Sequence, residues 1–419
     1  MGLSVRRYEA RAPTAPAEFQ SSEPRSPGAP VKILHTVAGL WVGSGGPVAS
    51  VTSLCRETVR RGHEVCLLTG DGAMHPAVNE LAGRVRVRLV PLGPYWRGHS
   101  SVPFRKACRD EAGRADVIHD HGVWLQTNWA SAWAARDAAK PLVRSPRGML
   151  SPWALSRSSL RKRILWRLVE RRLFVTAAVV HATSRLEEEE VRSLGVARRL
   201  EVIANGIDTD GEYAAARVAA ARASAAQGPG AHRRILFLSR VHPKKGLDLL
   251  CEAWVSLPSD SPAELLIAGD GAASAVADVE QWVAQQPGPP ARYLGPVTGE
   301  EKLRLLASAW ALALPSQSEN YGMVVAEALA CGTPVLTTTA TPWADVVERE
   351  CGWHIKPRGP DLSLALQEVL ALSAGAHQAM RVRARRLIEE GHSLRVTGAK
   401  FEALYEQLVT QNELQRGSR

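Results

Sequence analysis

The sequence predicts an α/β protein built from two doubly wound parallel sheets, and three observations carry the prediction. Short apolar runs alternate with helical stretches along the chain. The alternation runs twice, with an Ala-, Gly- and Pro-rich break between the two series. Several runs contain four to six successive apolar residues, as expected of parallel strands covered on both faces. A chain of 419 residues is also too long for one ordinary core and suits two.

The first series places strands at 31–37, 64–69, 85–91, 115–121, 141–146, 177–183 and 200–204. The Ala-rich stretch 214–232 ends in Gln227-Gly-Pro-Gly-Ala-His232 and is punctuated like a linker. The second series places strands at 234–239, 264–269, 291–294, 310–315 and 333–338. Strands alternating with helices imply right-handed crossovers, hence two Rossmann-like halves, at 31–213 and 233–385. Residues 386–419 are expected to form a C-terminal helix packing back on the first half. Residues 1–30, rich in Pro, Ala and Ser, are expected to be a disordered leader. Ligands of such sheets lie outside the carboxyl ends of the strands, so two facing sheets would share one cleft.

Composition narrows the function. Hydrophobic residues at 45% and charged residues at 22% are the balance of a soluble globular protein. The six cysteines are scattered without a CxxC pair, which argues against a zinc site or disulfide framework and fits the cytoplasm. No apolar run approaches the ~18 residues of a membrane span. No apolar segment follows Arg6, Arg7 and Arg11, so no signal peptide is read. The net charge of +10 fits either a generally basic surface or attraction to phosphorylated substrates, anionic membrane or nucleic acid. For nucleic acid, a recognition module or aromatic-rich basic stripe is missing. The stretch 156–174 mixes Arg157, Arg161, Lys162, Arg163, Arg167, Arg171 and Arg172 with Leu160, Ile164, Leu165, Trp166 and Leu168. Its apolar positions do not form one clean stripe, so it reads either as a helix on anionic lipid or as a solvated helix packed on the sheet.

Three turns carry the chemistry. Strand 31–37 runs into Ala38-Gly-Leu-Trp-Val-Gly-Ser-Gly-Gly-Pro47 and then a helix, which bares backbone amides where an anion is favoured. The spacing fits neither GxGxxG nor a P-loop, which weakens a nicotinamide-dependent oxidoreductase as the alternative. Strand 234–239 runs into a turn with Arg240 and Lys245 five apart around Pro243, a site for a diphosphate. Strand 310–315 ends in a polar loop with Glu319, then Gly322 opens a helix carrying Glu327. Eight residues along a helix span roughly 12 Å and rotate only about 80°, so both carboxylates could face one cleft. Glu327 lies among Val324, Val325, Ala326, Ala328 and Leu329, where an unpaired carboxylate would be costly.

The segment from Pro315 to Val335, with its two glutamates eight apart, resembles the signature of the retaining GT-B glycosyltransferases of family 4 (group 1). Other motifs match in order over about 31–400: Gly45-Gly46, Val117-Ile-His-Asp-His121, Asn205-Gly-Ile-Asp208, Ser239-Arg240 to Lys245-Gly246, Ala268-Gly-Asp-Gly271 and Tyr293-Leu-Gly-Pro296. The segment Arg144-Ser-Pro-Arg-Gly-Met-Leu-Ser-Pro-Trp-Ala-Leu155 is similar to members that build bacterial exopolysaccharide, capsule or O-antigen.

The resemblance implies a GT-B fold, with acceptor in the first half and nucleotide sugar in the second. It implies that Glu327 binds the ribose and Glu319 the transferred sugar, while Arg240 and Lys245 neutralise the departing diphosphate. The amides of Gly322, Met323 and Val324 assist, Gly45 and Gly46 lie over the donor, and His121 lies near the reacting hydroxyl or donor sugar. His119 is assigned to the core. Asp208-Thr-Asp210 has the DxD form that holds Mn²⁺ elsewhere but belongs to the junction turn, so no metal or other cofactor is expected. The implied partners are a UDP- or GDP-sugar and a glycan or polyprenyl-diphosphate-linked acceptor, with the protein cytoplasmic and possible peripheral contact with membrane.

Overall fold

The computed structural model describes residues 29–41, 45–94, 98–156, 159–226 and 233–418. The expected leader, except for residues 29 and 30, lies outside these, as do Gly43, Arg157 and the 227–232 tail of the break. Both series of apolar runs form parallel sheets. The first contains β1 (Lys32–Val37), β2 (Glu64–Gly70), β3 (Arg86–Val90), β4 (Val117–His121), β5 (Leu142–Ser145), β6 (Val179–Ala182) and β7 (Leu200–Val202), in the order β3-β2-β1-β4-β5-β6-β7. The second contains β8 (Arg233–Leu238), β9 (Ala263–Ala268), β10 (Ala291–Tyr293), β11 (Ala311–Leu314), β12 (Val335–Thr338) and β13 (Gly352–Ile355), in the order β10-β9-β8-β11-β12-β13.

The two orders share one feature. The chain leaves the central strand to one side, then returns to pair on the other, so the winding reverses between β1 and β4 and between β8 and β11. A crevice opens at the carboxyl ends of such strands. In the first sheet this is where Val37 pairs with His121. All five residues of β4 are buried, including His119, Asp120 and His121.

Three expectations change. The Ala-rich part of the linker is a helix, Glu212–Ala226, whose Tyr213, Ala216 and Ala220 pack against the second core. Ala is the strongest helix former, and this packing gives the helix a tertiary anchor. Strand β13 adds to the expected set, because its four residues are all half-buried and no apolar run marks them. The basic stretch divides its apolar residues between two faces. Leu173 and Phe174 are buried and Trp166 packs on the core, whereas Leu160, Ile164 and Leu168 are 68%, 50% and 61% exposed at intervals of four. A π-helical turn, Trp166–Glu170, lies within this stretch. The turn ends in Glu170, which is fully buried and accepts from Trp124 N at 2.9 Å and Trp129 Nε1 at 2.7 Å. Among the described residues no helix is long and apolar enough to cross a membrane.

The last helix, Leu394–Gly417, crosses back to the first sheet. Phe401, Leu404, Tyr405, Leu408 and Val409 pack against Val31, Ile33, Val117, Val143 and Val179. Tyr405 also meets His119 Nδ1 at 2.7 Å. Tyr405→Phe keeps the ring and deletes this bond between two buried groups. It is expected to cost about 1–3 kcal/mol of stability, read as a lower urea midpoint; an unchanged midpoint would show that the bond contributes nothing.

Candidate active site between the two sheets

The sequence-selected residues end or follow β1, β4, β8 and β11, the four strands flanking the two switch points. After β1, Gly45 precedes the helix Gly46–Arg60. A Cβ placed on Gly46 would lie 3.6 Å from Met323 Cγ, so this turn meets the helix Met323–Ala330 of the opposite half. After β8, Pro243–Lys245 form a single 3₁₀ turn, with His242 Nδ1 accepting from Lys244 N at 3.1 Å. Gly246 then adopts φ 71°, and a Cβ there would fall 2.1 Å from the Pro315 carbonyl oxygen. Only glycine permits both, and it brings the basic turn against the loop that follows β11. The contact continues as Gln317 N donates to Lys244 O at 2.8 Å.

This approach pairs the charges. Lys245 Nζ meets Glu319 Oε1, and Ser316 Oγ donates to the same oxygen at 3.3 Å. Arg240 is exposed and has no ion-pair partner among the described residues. Glu327 is 5% exposed, and Lys302 Nζ lies 2.7 and 2.6 Å from its two carboxylate oxygens. Lys302 comes from the helix Gly299–Ser308 and was not identified from the sequence, since nothing links it to a motif 25 residues downstream. Each signature carboxylate therefore holds a lysine. Gly322, at φ 77°, caps the helix Met323–Ala330, leaving the Met323 and Val324 amides in its first turn without intrahelical acceptors.

The same loop crosses the cleft. Asn320 Nδ2 donates to Thr183 Oγ1 at 3.1 Å, and Ser184 Oγ donates to Asn320 O at 3.3 Å. Tyr321 OH donates to Asn205 O at 2.9 Å and lies 2.8 Å from His392 Nδ1. Lys244 Nζ sits 4.5 Å from the ring centroid of Trp153 in the first half. Asn320 and Tyr321 lie inside the recognised signature, but only the structure shows that they reach across.

His121 is 4% exposed, and both of its ring nitrogens are engaged: Nε2 with His35 Nδ1 at 3.0 Å and Nδ1 with Arg147 at 3.0 Å. Burial and the Arg147 charge hold it well below the usual imidazole range. His35, His119 and His121 each have a nitrogen within 4.8 Å of the others. They are a poor metal site, because His119 is bonded to Tyr405 and Ser145 and a guanidinium abuts His121. Asp208 Oδ1 accepts from Asp210 N at 3.2 Å, a local turn bond between exposed residues.

Residues 45–206 match the family model for a glycosyl transferase 4-like domain, and residues 224–387 match that for glycosyl transferases group 1. The chain belongs to the family 4 (group 1) glycosyltransferases. A relative named D-inositol 3-phosphate glycosyltransferase, from Mycobacterium sp. (strain JLS), is 30% identical over 314 residues, 70% of each chain. Another of that name, from Actinosynnema mirum, is 28% identical over 319 residues, 70% of this chain and 75% of its own. Among solved structures, Anabaena HepE in complex with UDP and glucose superimposes with a TM-score of 0.71 at 20% identity, over 90% of this chain and all of that one. WaaG, a glycosyltransferase involved in lipopolysaccharide biosynthesis, gives 0.64 at 16% identity over 90% of this chain and 99% of its own. The fold is GT-B, and the family assignment displaces the oxidoreductase and nucleic-acid readings.

Proposed function

We propose that this glycosyltransferase moves a hexose from a UDP- or GDP-sugar to a hydroxyl of a glycan or polyprenyl-diphosphate-linked saccharide, with retention, in cell-surface polysaccharide synthesis. The observation that carries the reading is the pairing of Lys245 with Glu319 just ahead of the open Met323 helix N-terminus, with Glu327 of that helix held by Lys302 and Arg240 exposed on the turn that carries Lys245. Cations and helix amides suit a diphosphate leaving group. An arriving diphosphate competes with Glu319 for Lys245 and frees that carboxylate for sugar hydroxyls. Glu327 accepts bonds from the ribose in exchange for Lys302. HepE, of the same fold, has been crystallised with UDP-glucose, which supports a nucleotide-sugar donor. The relatives named for D-inositol 3-phosphate broaden the acceptor class to phosphorylated hydroxyl compounds.

In the proposed step the bond from the anomeric carbon to the diphosphate breaks. A bond to the acceptor oxygen forms on the same face, and the acceptor proton passes to the departing phosphate. His121, with both nitrogens engaged, is not the base. Arg240 and Lys245 supply the charge stabilisation that a divalent cation gives elsewhere, so no metal takes part. The exposed row Leu160, Ile164 and Leu168, with Arg163, Arg167, Arg171 and Arg172 also exposed, supports contact with anionic membrane at the cytoplasmic face.

Four outcomes follow. Transfer is expected to persist in EDTA; loss that Mn²⁺ reverses would restore Asp208 and Asp210 as ligands. Glu327→Ala is expected to weaken nucleoside diphosphate binding by about tenfold or more, from the loss of charge-assisted bonds. Glu319→Gln is expected to lower kcat while calorimetry shows nearly intact diphosphate affinity, because that ligand carries no hexose. Equal loss of diphosphate in both variants contradicts the division of labour. The chain is also expected to float with anionic liposomes at low salt and to release as salt screens the attraction. Failure to float, or flotation indifferent to salt, counts against the membrane contact.

A further inference from the structure

We infer that Arg147 is a positioning residue of this active site: its guanidinium locks His121 in one neutral tautomer and ties together three walls of the first half. The kinetic part of the test rests on the glycosyltransferase reading; the spectroscopic part does not.

Arg147 follows β5 with φ 57°, in the left-handed region that side-chain-bearing residues seldom occupy. Gly148 follows at φ 74°. The turn is anchored from below, since Gly148 N donates to Glu187 Oε1 at 2.6 Å. The buried Glu187 also accepts from Thr183 N at 2.7 Å and Thr183 Oγ1 at 2.8 Å. It is pressed from across the cleft, because a Cβ on Gly148 would lie 2.6 Å from Asn320 Cβ. Such strain persists only where the surroundings over-determine it, and it concentrates at functional sites.

The side chain reaches three elements at once. One terminal nitrogen donates to Ser50 Oγ at 3.1 Å and Asn205 Oδ1 at 2.9 Å; the other donates to His121 Nδ1 at 3.0 Å. Ser50 lies on the helix after the glycine turn, Asn205 lies at the junction, and His121 ends β4. The backbone carbonyl of the same Asn205 receives Tyr321 from the signature loop. One guanidinium thus connects the glycine turn, the cleft histidine and the residue on which the donor loop rests.

The bond also fixes protons. A guanidinium only donates, so His121 Nδ1 must accept and the ring's proton sits on Nε2. That proton is donated to His35 Nδ1, which places the His35 proton on its own Nε2. The neighbouring histidines are set independently. His181 Nε2 faces the Ile203 carbonyl at 2.8 Å and must donate, so His181 Nδ1 accepts from Ser145, Ser145 accepts from His119 Nε2, and His119 Nδ1 accepts from Tyr405. Burial holds all four imidazoles below the usual range, so they are neutral with these tautomers, and only the hydrogen bonds of the His121–His35 arm run through Arg147.

The experiment uses the full chain with ¹⁵N-labelled histidine, His121 being assigned by the signal lost in H121Q. In the wild type, His121 is expected to hold the Nε2–H form between about pH 5.5 and 8. In R147M it is expected to exchange between tautomers or to gain a proton in that range, while His181 keeps its neutral Nε2–H form. Turnover of a nucleotide sugar by R147M is expected to fall about a hundredfold in kcat, the scale of a small misplacement, with little change in donor KM. R147K keeps the charge and stem but lacks the fork, so it is expected to leave His121 exchanging and to recover part of kcat. It decides the matter should R147M not fold. A wild-type His121 spectrum in these variants overturns the lock. A raised KM with unchanged kcat overturns the positioning role. Absence of turnover in the wild type itself would count against the glycosyltransferase reading, while the tautomer lock would still stand or fall on the His121 spectrum.

Discussion

The arrangement depends on one short loop serving two halves. Between β11 and the helix Met323–Ala330 the chain offers Glu319 to its own basic turn, and Asn320 and Tyr321 to the first half. The loop can do both because Gly246 lets the basic turn approach the Pro315 carbonyl and Gly148 leaves room for Asn320. Hydrogen bonds between partly buried groups fix its direction, and those bonds cost more to leave unmade than they contribute when made. The cleft is therefore lined by both sheets at their switch points.

Electrostatics follows from that geometry. The cleft gathers cations where a diphosphate would sit, and the protein pairs two of them with carboxylates. Lys245 rests on Glu319 and Lys302 on Glu327, while Arg147 lies among neutral acceptors. A charge buried there without hydrogen-bond partners would be strongly disfavoured, whereas the lysines paired with carboxylates can exchange partners when an anionic ligand arrives. The histidines beneath are too buried to take up protons: His35 and His181 are both pushed down to about 3 by burial, with Arg147 adding to it. The floor of the first half is accordingly a fixed array of donors and acceptors.

Much of this was legible in the sequence because parallel strands and glycine turns leave local marks. The apolar runs marked twelve of the thirteen strands, and β13 escaped because Gly352-Trp-His-Ile355 is not a continuous apolar run. The motif residues stood out because they cluster at or just after strand ends, His121 closing β4 and the others lying in the turns and helix that follow. What stayed hidden was pairing over distance. Lys302 sits on an ordinary amphipathic helix, and only the fold brings it to Glu327. Arg147 lay within a segment already singled out, yet its role depends on Ser50 and Asn205, 97 and 58 residues away. The exposed row on the basic stretch was obscured because the half-buried Leu165 and Trp166 interrupt it in sequence, Trp166 packing on the core.

The most direct test of the central claim is a structure of the full chain with a nucleoside diphosphate bound. The account predicts the diphosphate between Arg240, Lys245 and the amides of Met323 and Val324, with Lys245 Nζ moved from Glu319 to a phosphate oxygen. A diphosphate bound elsewhere, with the Lys245–Glu319 pair intact, would contradict it.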